Sequence, residues 1–330
     1  MLDVTRLRVL VAVARHGSVT AAARALNYAQ PSVSHHIARL EAETGASLLQ
    51  RAGRGVQLTD AGRLLAERAA EIIGRLDAAE AELAAHIGGR EGRVRLAAFP
   101  SALGTIVPAA AARLEAESPG MELMLTEAEP PEALHMLRAG HVDVALTFRH
   151  HQQDATPAPL GVDGEGIRGL LLLDEQVYLV TAADATATPP GKPGEPAAPA
   201  RFAAPVPSAT SGTSRPPDLA AYAEYRWITG CADCRAPLIR QCAAAGFTPK
   251  IAFATDDYVA VQALTAAGLG VTTLPGLALR AARHPGIRTA ALPGARRHVF
   301  AMTYGDPPDP PASAHLVEVL AQAATDMPPA

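Results

Sequence analysis

The 330-residue chain is poor in cysteine, and its three, Cys231, Cys234 and Cys242, are too few for a disulfide framework. No stretch reaches the roughly 18 uninterrupted apolar residues of a membrane span. The opening MLDVTRLRVLVAVARHG lacks the apolar run and small-residue cleavage site of a secretion signal. These absences point to the cytoplasm. Charged residues make up 19% with a net charge of −4, which excludes both a wholly basic tail and an acidic random coil. Motifs of catalysis are missing as well: there is no glycine-rich phosphate loop, GxSxG or HExxH, and no Ser/His/acid set in its needed context. Gly268-Leu-Gly270 reads as a turn before a strand, and Asp256-Asp257 as a helix cap rather than a catalytic dyad. No cofactor or metal site is implied, and the chain is expected not to be an enzyme.

What is present is unevenly placed. Residues 1–60 hold seven arginines against four acidic groups, whereas the chain after residue 95 is acidic on balance. The length suffices for two domains with a core that needs no staples. Residues 3–43 read as three short helices. Leu7, Leu10, Val11 and Ala14 line the first, which stops at His16-Gly17. Ser18 or Thr20 caps the second, which ends near Asn27-Tyr28. The third, PSVSHHIARLEAET, has proline in its first turn, buries Val33, Ile37 and Leu40, and ends at Gly45. Its other face offers Ser32, Ser34, His35, His36 and Arg39 to solvent, with Gln30 just ahead of it. SLLQRAGRGVQLT then reads as a small hairpin, or wing.

Thr59 caps a long helix over about 60–87. In it Leu65, Ala69, Ile72, Leu76, Ala79 and Leu83 follow 4-3-4-3-4 spacing, a seam that calls for a second copy of the chain or for packing on its own domain. Gly88-Gly89 and Gly92 mark a hinge. Beyond it the pattern alternates: strand 93–98, helix 103–117, strand 121–126, helix 130–139, strand 142–147, and a second run from LLLLDEQVYLVTA at 170–182 to a closing helix at 312–324. The strand-helix-strand repeat over 93–147 predicts a parallel sheet covered on both faces. Residues 184–217, with nine prolines between 189 and 217, read as a surface excursion.

A three-helix unit whose third helix shows a polar face after a tight turn has the outline of a helix-turn-helix, whose recognition helix fits the major groove. Gln30 suits adenine. Ser32 and Ser34 suit phosphate or close base contact, and His35 can donate to either. Arg39, with Arg51 and Arg54 on the wing, supplies attraction to phosphate, or a solvated surface.

Residues 1–87, with LRVLVAVARHGSVTAAARALNYAQPSVSHHIARLEAETGASLLQR and VQLTDAGRLL, resemble the N-terminal region of LysR-type bacterial transcriptional regulators, and the order of elements to residue 330 is similar to that family throughout. The resemblance implies a winged helix-turn-helix DNA-binding domain over 1–59, a dimerising linker helix and hinge over 60–91, and an effector-binding domain over 92–330. That last part is expected to have a periplasmic-binding-protein-like fold of two α/β subdomains, 92–167 with 271–330, and 168–270. The class as a whole is α/β behind an all-α winged N-terminus. Also implied are a homodimer or homotetramer, operator DNA, contact with RNA polymerase, and a small-molecule effector in the cleft. The local motif places the DNA contacts on Gln30, Pro31, Ser32, Ser34 and His35, with Arg51 and Arg54 on the wing. Histidines at 35 and 36 and the small Ala52-Gly53 tip depart from the usual pattern.

Pro100-Ser101-Ala102 follows the first strand of the second part and precedes a helix, so its hydroxyl and free amides make a seat for a carboxylate or other anion, or an ordinary helix cap. The Ser101 seat suggests an organic anion as effector, with Ala102 beside it, and the family alignment adds Leu103, Thr147, Phe148, Thr229 and Thr273 as wall residues. Cys231-Ala-Asp-Cys234 stands near this cleft, and its two thiols could serve redox sensing, bind a metal with further ligands, or be incidental. The rival readings are a cytoplasmic small-molecule-binding protein or enzyme built on the α/β part, and a thiol-redox-sensing regulator.

Overall fold

The computed structural model of the chain describes residues 2–52, 55–87, 92–150, 166–183 and 217–327. Gly53 and Arg54 of the wing tip, the Gly88-Gly89 hinge and nearly all of the proline-rich segment lie outside the described residues. Two compact units are distinguished: Met1–Arg95 with Gly120–Met124 and Leu134–Asp143, and Leu96–Pro119 with Leu125–Ala133 and Val144–Ala330.

The N-terminal helices form where their caps direct. Helix α1 (Val4–His16) starts at Asp3, whose carboxylate accepts from the Arg6 amide at 3.1 Å, and α2 (Val19–Ala25) starts at Ser18, whose hydroxyl accepts from the Ala21 amide at 3.1 Å. Helix α3 (Gln30–Thr44) has no side-chain cap, carries proline in its first turn, and stops at Gly45, whose φ of 68° suits glycine. Val33, Ile37 and Leu40 of α3 close onto Leu7, Leu10 and Val13 of α1 and onto Ala22 and Ala23 of α2. Small residues on α2 let the other two helices approach. Burying each large aliphatic side chain here contributes roughly 1.5–3 kcal/mol.

Strands β1 (Leu49–Ala52) and β2 (Gly55–Leu58) pair antiparallel with Arg51 opposite Val56. Glu41 ties this wing to α3: its Oε1 accepts from the amides of Leu48 and Leu49 at 2.7 and 3.1 Å. Helix α4 (Asp60–Ile87) begins at Thr59, whose hydroxyl accepts from the Gly62 amide at 3.0 Å and donates to the Ser47 carbonyl at 2.7 Å. Its first turns belong to the N-terminal core, with Ala66, Ala69 and Ile73 buried there and Leu65 packed against its edge.

Beyond residue 92 the chain alternates strand and helix: β3 (Arg93–Ala98), α5 (Pro100–Leu103), α6 (Ile106–Glu117), β4 (Glu122–Glu127), α7 (Pro130–Arg138) and β5 (Val144–His150). Then follow β6 (Ile167–Ala182), β7 (Arg226–Thr229), α8 (Ala232–Ala244), β8 (Lys250–Ala254), α9 (Tyr258–Ala266), β9 (Thr272–Pro275), α10 (Gly276–Ala281), β10 (Ile287–Tyr304) and α11 (Pro311–Thr325). Six strands form one sheet in the order β4-β3-β5-β10-β6-β9, and β7 and β8 pair parallel in a second.

The larger sheet is mixed: the run over 93–147 has the expected parallel pairing, and the later strands add antiparallel ones. β3 and β5 are parallel, but β10 runs antiparallel to both β5 and β6, and β6 antiparallel to β9. Sixteen-residue β6 and eighteen-residue β10 lie side by side for most of their length, the second absorbing Leu292–Ala295 in a register shift between Ala291 and Arg296. One correction concerns the expected helix 103–117. Gly104 and Thr105 split it into a single turn, α5, and a separate α6. Gly268, with φ 75°, bears out the expected turn ahead of β9, and at Gly270 a Cβ would stand 2.8 Å from the Arg226 carbonyl oxygen.

Candidate functional site

Two sets of residues carry the candidate chemistry. The first is the outer face of α3. Gln30, Pro31, Ser32, Ser34, His35 and Arg39 are exposed, while Val33, Ile37 and Leu40 hold the opposite face in the core. Exposure at 30–32, 34–35 and 39 is what a 3.6-residue period leaves when 33, 37 and 40 are buried. His36 differs from expectation in being half-buried, its ring stacked on Tyr28 with centroids 5.9 Å apart. Tyr28 itself is 42% exposed and sits in the turn that Asn27 closes with φ 54°. It is an addition to the surface that helical periodicity could not place, because it precedes the helix. Arg51 is exposed on β1; Arg54 lies outside the described residues.

The long helix divides its expected seam in two. Ala69 is fully buried and Leu65 packs beside it within the N-terminal core, so these two serve the chain's own domain. Ile72 at 51%, Leu76 at 39% and Leu83 at 59% are exposed, with Ala79 between them and Leu64 at the same end as Leu65. At 100° per residue, 72, 76, 79 and 83 fall within one narrow stripe, adjacent to the core-facing side.

The second set gathers at the carboxyl ends of β3, β4 and β5. Ser101 follows β3, Glu129 follows β4, and Phe148 and His150 close β5. The turn after β4 is held beside that after β3 by the Ala128 amide, which donates to the Ala98 carbonyl at 3.1 Å. Ser101 is buried, but it is not the cap of a long helix, since α5 spans four residues. What stands beside it is a guanidinium. Arg297 Nη2 donates to Ser101 Oγ at 3.1 Å, and Nε donates to Glu175 Oε1 at 2.5 Å. The Arg297 guanidinium carbon lies 4.4 Å from the Phe148 ring centre and 5.0 Å from that of Phe99. Arg297 and Glu175 are each about 3% exposed in their side chains.

Two polar atoms near Arg297, Glu129 Oε2 and His150 Nε2, are buried and find no hydrogen-bond partner among the described residues, and neither does Thr229 Oγ1 at the end of β7. Buried polar atoms are ordinarily paired, so unpaired ones close together have the character of a ligand-facing wall. Burial raises the Glu129 carboxyl above its ordinary range, reinforced by the charge of Asp256, while a hydrogen bond with Cys231 and the charge of Arg297 oppose the rise. Burial, with the charges of Arg297 and Arg240, pushes the His150 imidazole down to about 4. His150 is therefore neutral at pH 7.

Of the expected wall residues, Ala102, Thr147 and Phe148 are buried and Leu103 is half-buried. Phe148 meets Phe99 edge to face at 5.0 Å. Thr229 ends β7, where its carbonyl accepts from the Thr255 amide at 3.0 Å. Thr273 stands on β9, at the edge of the large sheet opposite Leu179. Glu129, His150, Glu175 and Arg297 were not expected from sequence. Asp257, expected as a cap, accepts from the Val259 and Ala260 amides at 2.8 and 3.1 Å. Among the described residues no group of three or more His, Cys, Asp or Glu is placed to hold a metal ion, and no helix is long and apolar enough to cross a membrane.

Comparison with known proteins addresses both sets of residues. Residues 4–63 match the bacterial regulatory helix-turn-helix protein, lysR family, and residues 88–325 match the LysR substrate binding domain. The probable cat1 operon transcriptional activator of Acinetobacter lwoffii is 35% identical over 151 residues, 46% of this chain and about half the length of that relative, 50%. The HTH-type transcriptional regulator TcbR of Pseudomonas sp. (strain P51) is 26% identical over 328 residues, 98% of this chain and 100% of that protein. Among solved structures, CbnR, a LysR family transcriptional regulator, has the same fold with a TM-score of 0.63 at 22% identity, covering 98% of this chain and 100% of that one. CbnR has also been solved in complex with its target DNA.

Proposed function

Since the chain belongs to the LysR family of bacterial transcriptional regulators, we propose that it reads operator DNA through the outer face of α3 and that a small molecule bound at the carboxyl ends of β3, β4 and β5 sets how it does so. The observation that carries this reading is the surface of α3. Gln30, Ser32, Ser34 and His35 stand free on a helix whose other face is locked into a packed three-helix core. A rigid helix with short polar groups near its N-terminus is what major-groove readout requires. Arg39 and Arg51 flank that surface and provide attraction to phosphate in any sequence.

The working divisions are residues 1–59 for DNA, 60–91 for the linker helix and hinge, and 92–330 for the effector. Ile72, Leu76, Ala79 and Leu83 pair the linker helices of two protomers, and two such pairs make a homotetramer on DNA. CbnR in its DNA complex supplies the analogy for that partner. The protein acts in the cytoplasm, where its DNA is, and contacts RNA polymerase there. It regulates rather than catalyses.

An organic anion is the effector class favoured by the ligand wall, because the Arg297 guanidinium, and not a helix terminus, backs the Ser101 hydroxyl. Thr229 and His150 offer further unpaired polar atoms toward the same ligand. Binding acts by linkage: a ligand held more tightly by one arrangement of the effector domain shifts the population of DNA-reading states. The test is selection of fragments from the genome of the source organism by the purified protein, followed by sequencing. Enrichment of a shared palindromic site supports the reading; recovery without sequence preference overturns it.

A further inference from the structure

The thiols at the start of α8 remain unused by this account. We propose that Cys231 and Cys234 form a reversible dithiol–disulfide couple in the wall of the ligand site, closed by exchange with a low-molecular-weight disulfide.

The geometry is that of a two-cysteine turn. Cys231 is the residue ahead of the 13-residue α8, with extended backbone (φ −56°, ψ 169°), and Cys234 lies one turn on, its amide donating to the Cys231 carbonyl at 3.1 Å. Residues one helical turn apart have Cα atoms about 5–6 Å apart, inside the span a disulfide bridges. Both cysteines are free and half-buried. Cys242 is instead fully buried, packed with Trp227, Leu238 and Val271, and belongs to the apolar core.

The two thiols divide the chemistry between them. The Cys234 thiol donates a hydrogen bond to the Cys231 sulfur, which holds Cys231 below the ordinary thiol range and raises Cys234 well above it. Cys231, at the N-terminal end of α8, is thus the more readily ionised thiol and the one that attacks, and Cys234 the thiol that resolves. In the first step the Cys231 thiolate bonds to one sulfur of the small disulfide, whose S–S bond breaks and whose other half leaves as a thiolate. In the second the Cys234 sulfur, its proton passing to solvent, bonds to Cys231 and expels the remaining half. Two electrons leave the protein pair and reduce one small disulfide to two thiols. Cys231 also neighbours Glu129, so closure changes the surroundings of that carboxyl in the ligand wall.

The test uses the full-length protein equilibrated with oxidised and reduced glutathione in graded ratios, quenched by alkylation and read by mass. The expected result is two alkylation sites lost together, with a linked 231–234 peptide, Cys242 still alkylated, and full reversal by excess reduced glutathione. Cys234→Ser should stop at a mixed disulfide on Cys231, Cys231→Ser should stay unmodified at 234, and Cys242→Ser should behave as the native chain. Retention of all three alkylated cysteines in oxidised glutathione alone overturns the proposal, as does a mixed disulfide on Cys231 that never closes. Neither DNA nor effector enters the assay, so its failure is separate from failure of the DNA-binding reading.

Discussion

Arg297 on β10 and Glu175 on β6 face each other in register across the two longest strands, Nε to Oε1 at 2.5 Å, with almost no solvent at either. The pair is satisfied on both sides. Glu175 Oε2 accepts from the Leu277 amide at 2.7 Å at the start of α10, and Arg297 Nη2 reaches Ser101 at 3.1 Å. A guanidinium next to the proposed ligand wall is thereby held in place by a carboxylate that ties three elements together.

Removing one partner should cost far more than removing both. Glu175→Ala leaves a buried guanidinium without its carboxylate, and a loss of about 3–5 kcal/mol in unfolding free energy is expected. Glu175→Met with Arg297→Met should recover most of that loss. Urea denaturation of the single and double variants measures the difference. Equal losses in all of them would show that the pair contributes only its packing.

The long helix makes the sharpest contrast between two faces. Ile72→Asp with Leu83→Asp alters exposed positions, so the fold should persist while self-association weakens at least about tenfold, as seen by sedimentation. Ala69→Asp puts a charge in the N-terminal core and should unfold that domain. If the Asp pair left the oligomer mass unchanged, the stripe would not be a subunit contact.

His150 gives a pH dependence of definite sign. Its folded value of about 4 lies below the ordinary 6.5, so the unfolded chain takes up the proton first as pH falls. Stability should therefore be complete above pH 6.5 and be lost progressively from 6.5 towards 4, at up to about 1.4 kcal/mol per pH unit. In His150→Gln that part of the slope should vanish in urea titrations between pH 4 and 7. An unchanged slope would place the titration elsewhere.

Much of the DNA-reading unit is legible in the sequence because its signals are local: Ser18, Thr59, Pro31 and Gly45 each act within one turn of where they stand. The apolar period along α4 is equally plain, but period alone does not say which members face the chain's own core, and Ala69 and Leu65 do. The proposed ligand wall is less legible because its parts meet over long separations. Arg297 and Glu175 are 122 residues apart, and no spacing rule joins them. β10 is hidden for a different reason: Pro293 and Gly294 interrupt its pattern, and the structure carries the interruption as a register shift within one strand. Gly104 and Thr105 likewise split a helix whose alanine-rich sequence has good helical propensity throughout.

In the proposed function α3 reads base sequence while the basic groups around it hold phosphate. The measurement that tests it most directly is titration of the native chain, His35→Ala and Arg51→Ala against a selected genomic fragment and random DNA of equal length, over a range of salt. The native protein should prefer the selected fragment by at least about 10³-fold. His35→Ala should lose about 1–3 kcal/mol of that preference and keep its salt slope, whereas Arg51→Ala should weaken both DNAs alike and lower the slope by about one per arginine removed. No preference in the native chain, or the same losses and slopes in both variants, would contradict the account.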